Sequence, residues 1–141
     1  MKKQFLIPFF LLMTILQSCG KTGGGTADNP DQVDENDNVF PVLTVIRPAA
    51  NQLYTSGDSI IIEGNATDNK VMYKGKVQLK NDVTGSVVAE QFYETHFLKT
   101  LNFRVAYKAV VAAATEFTVI LDFTDHGLNN VNNTFKVKVN P

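Results

Sequence analysis

From residue 39 onward, apolar and polar side chains alternate with a period of two, the signature of strands with one face in a core and one in solvent. Leu101, Phe103, Val105 and Tyr107 alternate with Asn102, Arg104, Ala106 and Lys108. Phe117, Val119, Leu121 and Phe123 form a second such face, and Phe135, Val137 and Val139 alternate with Lys136 and Lys138 in a third. Ile60 to Ile62, running on to Thr67, is a β-branched run bounded by Gly57-Asp58 and Asp68-Asn69. Val77 and Leu79 sit among Lys76, Gln78 and Lys80, and Pro41 to Ile46 and Ser86 to Phe92 complete a set of seven short strands. No segment carries a helical stripe, although Ala109 to Thr115 has room for one helical turn. The core is expected from Ile60, Ile62, Val77, Leu79, Leu101, Phe103, Val105, Phe117, Val119, Leu121, Phe135, Val137 and Val139. A one-residue slip of register would turn any of these faces outward.

Seven strands with turn signals at Thr55-Ser56-Gly57-Asp58 and Asn81-Asp82-Val83-Thr84-Gly85 predict an all-β, seven-stranded antiparallel sandwich of immunoglobulin-like type. The chain has one Cys and no Trp, so the disulfide pair and core Trp of antibody domains are absent. That directs the expectation to the cadherin-like and fibronectin-like relatives. The stretches Phe40 to Pro48, Tyr54 to Ile62 and Ala66-Thr67-Asp68-Asn69 resemble the opening of bacterial Ig-like and cadherin-like domains. Phe123 to Asn130 is similar to the T-D-x-x-G-N turn before their last strand, with Gly127 one position early. These motifs are strand and turn punctuation, and they imply a fold and no activity.

The N-terminus has a different character. Met1-Lys2-Lys3 is a positive start, and the apolar run Phe5 to Leu16 that follows is too short to span a hydrocarbon layer of about 30 Å. Leu16-Gln17-Ser18-Cys19-Gly20 comes next and resembles the lipobox of bacterial lipoproteins. The resemblance implies a signal peptide at 1–18, cleavage before Cys19 and lipid on its thiol. Two or three acyl chains, at about 0.8 kcal/mol per buried methylene, hold a protein on a membrane durably. Residues 19–38 then read as a tether of Gly, Asp and Asn, unable to bury enough surface to offset ordering. The expected organisation is signal peptide 1–18, lipidated Cys19 with a flexible acidic linker to 38, and a sandwich domain at 39–141. Together these features resemble Bacteroidetes lipoproteins with a single Ig-like or cadherin-like domain, which implies a cell-envelope location, in the outer membrane.

Composition narrows the partners. Thirteen basic against 14 acidic residues leave a net charge of −1, without the basic surface that nucleic acid demands. The acids concentrate in the linker, where Asp28, Asp31, Asp34, Glu35 and Asp37 outnumber Lys21. Asp34-Glu35-Asn36-Asp37-Asn38 before Val39-Phe40-Pro41 closely resembles the D-x-N-D-N linker through which cadherins bind calcium. Calcium takes six to eight oxygens, and Asp34, Asn36, Asp37 and Asn38 offer them at short spacing, with Asp68 where a following cadherin domain contributes a ligand. Against this, Lys70 stands where a second carboxylate is expected, and no preceding acidic domain is evident. The expectation is therefore a solvated spacer and no cofactor, with a calcium site at these five residues as the competing reading.

Catalytic chemistry finds no motif. His96 and His126 are the only histidines, no H-E-x-x-H occurs, and Ser56, Ser59 and Ser86 lie in or beside turns. Asp125-His126 reads as turn chemistry. Phe92, Tyr93, His96 and Phe97 form an aromatic cluster expected in the core rather than on a sugar. Asp58-Ser59-Ile60 resembles an O-glycosylation signal, which would modify Ser59. The reading is a lipid-anchored, non-catalytic binding or adhesion module, with envelope proteins, host matrix or a glycan as partner. An accessory envelope component without its own ligand, or a carbohydrate-binding component of glycan uptake, is the alternative.

Overall fold

A computed structural model describes residues 33–141. The signal segment 1–18, Cys19 and the linker to residue 32 lie outside the described residues, so those expectations have no structural counterpart here. The described chain contains strands and turns and no helix. Its strands are β1 Val42–Arg47, β2 Leu53–Thr55, β3 Ser59–Thr67, β4 Met72–Asn81, β5 Val87–Glu94, β6 Thr100–Lys108, β7 Thr115–Asp125 and β8 Asn130–Asn140.

They form two sheets, one ordered β1-β3-β6 and the other β2-β8-β7-β4-β5. Every pairing is antiparallel except β2 with β8, which run parallel. The expectation of seven antiparallel strands is corrected on this point. β2 is three residues long, too short to show alternation, and its place is set by β8: Leu53 lies opposite Lys138 and Thr55 opposite Asn140. The chain leaves the three-stranded sheet after β1 and joins the five-stranded one at β2. The helical turn allowed at Ala109 to Thr115 is not formed; Ala109 instead takes part in the β2–β3 turn, donating its N–H to Asp58 O at 2.9 Å and accepting from Gly57 N at 2.7 Å.

The core lies between the sheets. Phe117, Val119, Leu121 and Phe123 of β7 all point inward and are buried, so the register read from the alternation holds. Ile60, Ile62, Val77, Leu79, Leu101, Phe103, Val137 and Val139 are buried with them. Val105 and Phe135, expected in the core, pack against it half-exposed, while Ala66, Met72 and Ala109 join it. The Phe103 and Phe123 rings meet across the sheets at 5.0 Å. On the open side Tyr93 spans from β5 to β6, its hydroxyl accepting from Arg104 N at 3.0 Å.

The aromatic cluster is not in the core as expected. Phe92 and Phe97 are exposed, Tyr93 bridges the sheets, and His96 sits in a ring cluster with Tyr73 and His126. Phe92 points outward because β5 alternates from Tyr93, whose side is fixed by the bond to Arg104. Three loops lie at one pole of the sandwich, at 68–71, 95–99 and 126–129, and the chain enters β1 from the same pole.

Candidate metal centre

The alternation that fills the core runs past its apolar residues. In β3 the inward positions Ile60, Ile62, Gly64 and Ala66 lead by the same step to Asp68, and in β7 Phe117 to Phe123 lead to Asp125. Both strands end at the loop pole, so each delivers one carboxylate to the rim of the core.

A third carboxylate arrives from the incoming segment. Asp34 N donates to His126 O at 2.9 Å and Asp37 N to Asp34 O at 3.0 Å, folding residues 34–37 against the β7–β8 loop. Asn129 Nδ2 donates to Asp37 O at 3.0 Å. The expected solvated spacer is thus folded from Asp34 to Asp37, because the His126 carbonyl accepts and the Asn129 side-chain amide donates where water was expected. Gly127 permits the approach: a Cβ there would lie 2.7 Å from Asp37 Cβ and 2.8 Å from Asp37 O.

Asp37, Asp68 and Asp125 converge, with one oxygen from each lying within 4.8 Å of the others. Asp37 is 4% exposed and Asp125 fully buried. Asp125 is satisfied by Asn129, whose backbone N–H and Nδ2 donate to its two oxygens at 2.8 and 2.9 Å. The other two are not. Asp37 Oδ1 accepts from Val39 N and Asp68 Oδ2 from Lys70 N, while Asp37 Oδ2 and Asp68 Oδ1 are buried without any hydrogen-bond partner. A buried oxygen left unmatched costs about 1–3 kcal/mol, more when charged. Mutual repulsion among three neighbouring carboxylates adds to that cost.

The nearest cation is engaged elsewhere. Lys70 Nζ donates to Asp34 Oδ2 at 2.7 Å. That bond lifts the Lys70 ammonium above its ordinary range, with Asp37 and Asp68 adding a smaller pull, and it holds Asp34 below the usual carboxylate range. An all-oxygen, three-carboxylate donor set suits a hard divalent ion such as Ca²⁺, and the two orphaned oxygens are what such an ion would satisfy.

Of the five residues that the sequence marked for calcium, the structure brings together Asp37 and Asp68. Asp34 is drawn off by Lys70, and Asn36 and Asn38 are exposed, the Asn36 N–H being bound to Asp34 Oδ1 at 3.0 Å. Asp125 was read as turn chemistry and is the third member; its place on the inward face of β7 was the available signal. Ser59 begins β3 exposed, opposite Lys108.

A groove of about 520 Å³ lies on the outer face of the five-stranded sheet. Across it Phe92, Lys76 and Asp122 form one row over β5, β4 and β7, and Glu94, Lys74 and Thr124 form the next.

No family model matches the chain, and no curated protein matches it. Among solved structures it is similar to fibronectin(III)-like modules of Clostridium thermocellum CbhA, at 17% identity and a TM-score of 0.41, over 72% of this chain and 46% of that one. The chain thus spans under half of that structure's length. It is similar also to the CARDB domain of a Pyrococcus furiosus protein, solved in complex with di-metal ions, at 16% identity and a TM-score of 0.44, over 71% of this chain and 94% of that one. The β-sandwich rests on the chain's own strand order and register, and these likenesses add nothing about what it binds.

Proposed function

We propose that this chain is a non-catalytic binding or adhesion module of the bacterial cell envelope, an Ig-like sandwich carried on a lipid anchor at Cys19 and stapled at its loop pole by calcium. The lipobox-like run at Leu16 to Gly20 supports the anchor, and the resemblance to Bacteroidetes lipoproteins supports the outer-membrane location. The observation that carries the site is the convergence of Asp37, Asp68 and Asp125 with two buried oxygens lacking partners. These three side chains would hold the ion, which would supply positive charge to the two carboxylate oxygens that have no hydrogen-bond partner. It would fasten the incoming segment to the ends of β3 and β7, so that the module leaves its tether at a fixed angle.

Calorimetric titration of the metal-stripped full chain tests this. Calcium at a hundredfold excess over its Kd should add about 2.7 kcal/mol, a rise in Tm on the order of 10 °C for a domain of this size. Asp37→Asn and Asp68→Asn should each abolish the binding heat. No heat and no rise in Tm at millimolar calcium would defeat the site.

Glycan binding is the second reading, favoured by the exposed Phe92 at the groove beside Lys76 and Asp122. Retention on a glycan array that Phe92→Ala removes would support it, and retention unaffected by Phe92→Ala would place any glycan elsewhere.

A further inference from the structure

The loop pole exposes a cluster of large apolar side chains. Val39, Phe40, Phe97, Leu98 and Leu128 are each between 51% and 67% exposed. They come from three separate segments that the structure ties together. Asn129 Nδ2 reaches Val39 O at 3.3 Å, the His96 and His126 rings lie 5.4 Å apart, and the Phe97 ring lies 6.5 Å from His96. Leu53, Val83, Val87 and Val110 are comparably exposed toward the far pole, so exposure alone does not choose between the ends, and the strained backbone and the entry point of the chain do.

Backbone strain gives the second observation. Phe97 and Leu128 have φ of 79° and 65°, the left-handed region that bulky residues avoid and glycine adopts freely. Neither gains burial in return. Leu128 follows Gly127, whose own φ is not left-handed, so the strained position is held by leucine with a glycine next door. Such strain persists at positions that serve a contact.

The place where the chain enters identifies the partner. Residues 1–32 reach the described structure at this same pole, through Val33. If Cys19 carries the lipid, Gly20 to Pro30 and the two residues after it join the membrane to Val33, and 13 residues even when fully extended reach at most about 45 Å. The loop pole is therefore the end of the sandwich nearer to such an attachment point. We propose that this apolar pole docks on the interface of the lipid bilayer that anchors the chain, with Phe40, Phe97 and Leu128 entering among the acyl chains. The inference rests on the tethered reading above for the supply of membrane. Asp34, Asp37, Asp68 and Asp125 lie at the same pole with Lys70 and Lys99, so the fitting surface is zwitterionic lipid rather than strongly anionic lipid.

The chain contains no Trp, so one introduced indole is a clean reporter. In the lipidated full chain on phosphatidylcholine vesicles with brominated acyl chains, Phe97→Trp should be quenched at least about twofold more than Val110→Trp at the far pole. Phe40→Trp serves as an independent reporter should Phe97→Trp disturb its loop. Adding Leu128→Gly should raise Tm, by relieving the strained backbone, and yet weaken the quenching. Equal quenching at the two poles, or a pole covered by a second copy with a dimer in sedimentation, overturns the proposal. Flotation with the vesicles reports the anchor separately. With vesicles in excess the quenching decides docking whether or not the anchor is present.

Discussion

Gly127 has a hydrogen where any other residue would carry a Cβ, and Asp37 fills that space. Because the nearest atoms include Asp37 O, part of the backbone, the crowding in Gly127→Ala cannot be relieved by a rotamer change. The incoming segment must move. The variant should lose about 1–3 kcal/mol, as overpacked sites do, and its calcium response should fall with the displaced Asp37. Thermal melts with and without calcium read both effects, and a calcium-dependent rise in Tm equal to that of the parent chain would count against the docked segment. At this scale the sequence was half legible. Asp37 and Asp68 stood out because a short acidic run and a known spacing drew attention to them. Asp125 did not, since a local reading of Asp125-His126-Gly127 suggests a turn. The long-range reading, that a carboxylate continues the inward face of Phe117 to Phe123, was present in the same residues and shows what extending a period beyond its last apolar member reveals. Asp34 was misplaced for a different reason: only the fold brings Lys70 within reach of it, 36 positions along the chain.

Among the elements, β7 holds the centre of the five-stranded sheet, paired with β4 on one side and β8 on the other. Leu121 sits mid-strand and fully buried. Leu121→Ala should therefore cost about 2–5 kcal/mol, whereas Ile120→Ala, one residue away on the half-exposed outer face, should cost a fraction of that. Denaturant melts of the two variants measure the difference, and equal losses would mean the strand's faces are not as distinct as its burial indicates. Long strands with alternating faces such as this one were legible because burial on one side imposes the pattern. β2 was not, because three residues held by backbone pairing to β8 carry no side-chain signature. The exposed Phe92 and Phe97 were misread because aromatic content says nothing of facing, which Tyr93 and a left-handed loop residue decide here.

For the molecule as a whole, two charge clusters contribute to the pH dependence of stability. At the loop pole Lys70 holds the Asp34 carboxyl below its ordinary value, and Asp34 in turn raises Lys70. At the far pole burial works against the charge of Asp82, but the bond from Thr118 and the Lys136 ammonium outweigh it and keep its carboxyl low. Lys136 is raised chiefly by Glu116 and then by Asp82. A depressed carboxyl stabilises the fold above its unfolded value and ceases to do so as pH falls through its folded one, so the Asp34 and Asp82 contributions should fade below about pH 4. A raised ammonium does the reverse, and the Lys70 and Lys136 contributions should fade as pH climbs past about 10.4. Tm should therefore be level between these limits. Asp34→Asn together with Asp82→Asn should flatten the acid limb, and an unchanged acid limb would show that other carboxylates govern it.

The parallel pairing of β2 with β8 has a mechanical consequence. Both strands run from the loop pole toward the far pole, and the described chain comes in at the first and leaves β8 at the second. Tension drawn between an anchored N-terminal side and a load on the C-terminal side would pull β2 and β8 in opposite directions along their shared axis. The hydrogen bonds between them lie across that axis and would be strained together rather than opened one after another, so this three-residue strand is placed to resist force out of proportion to its length.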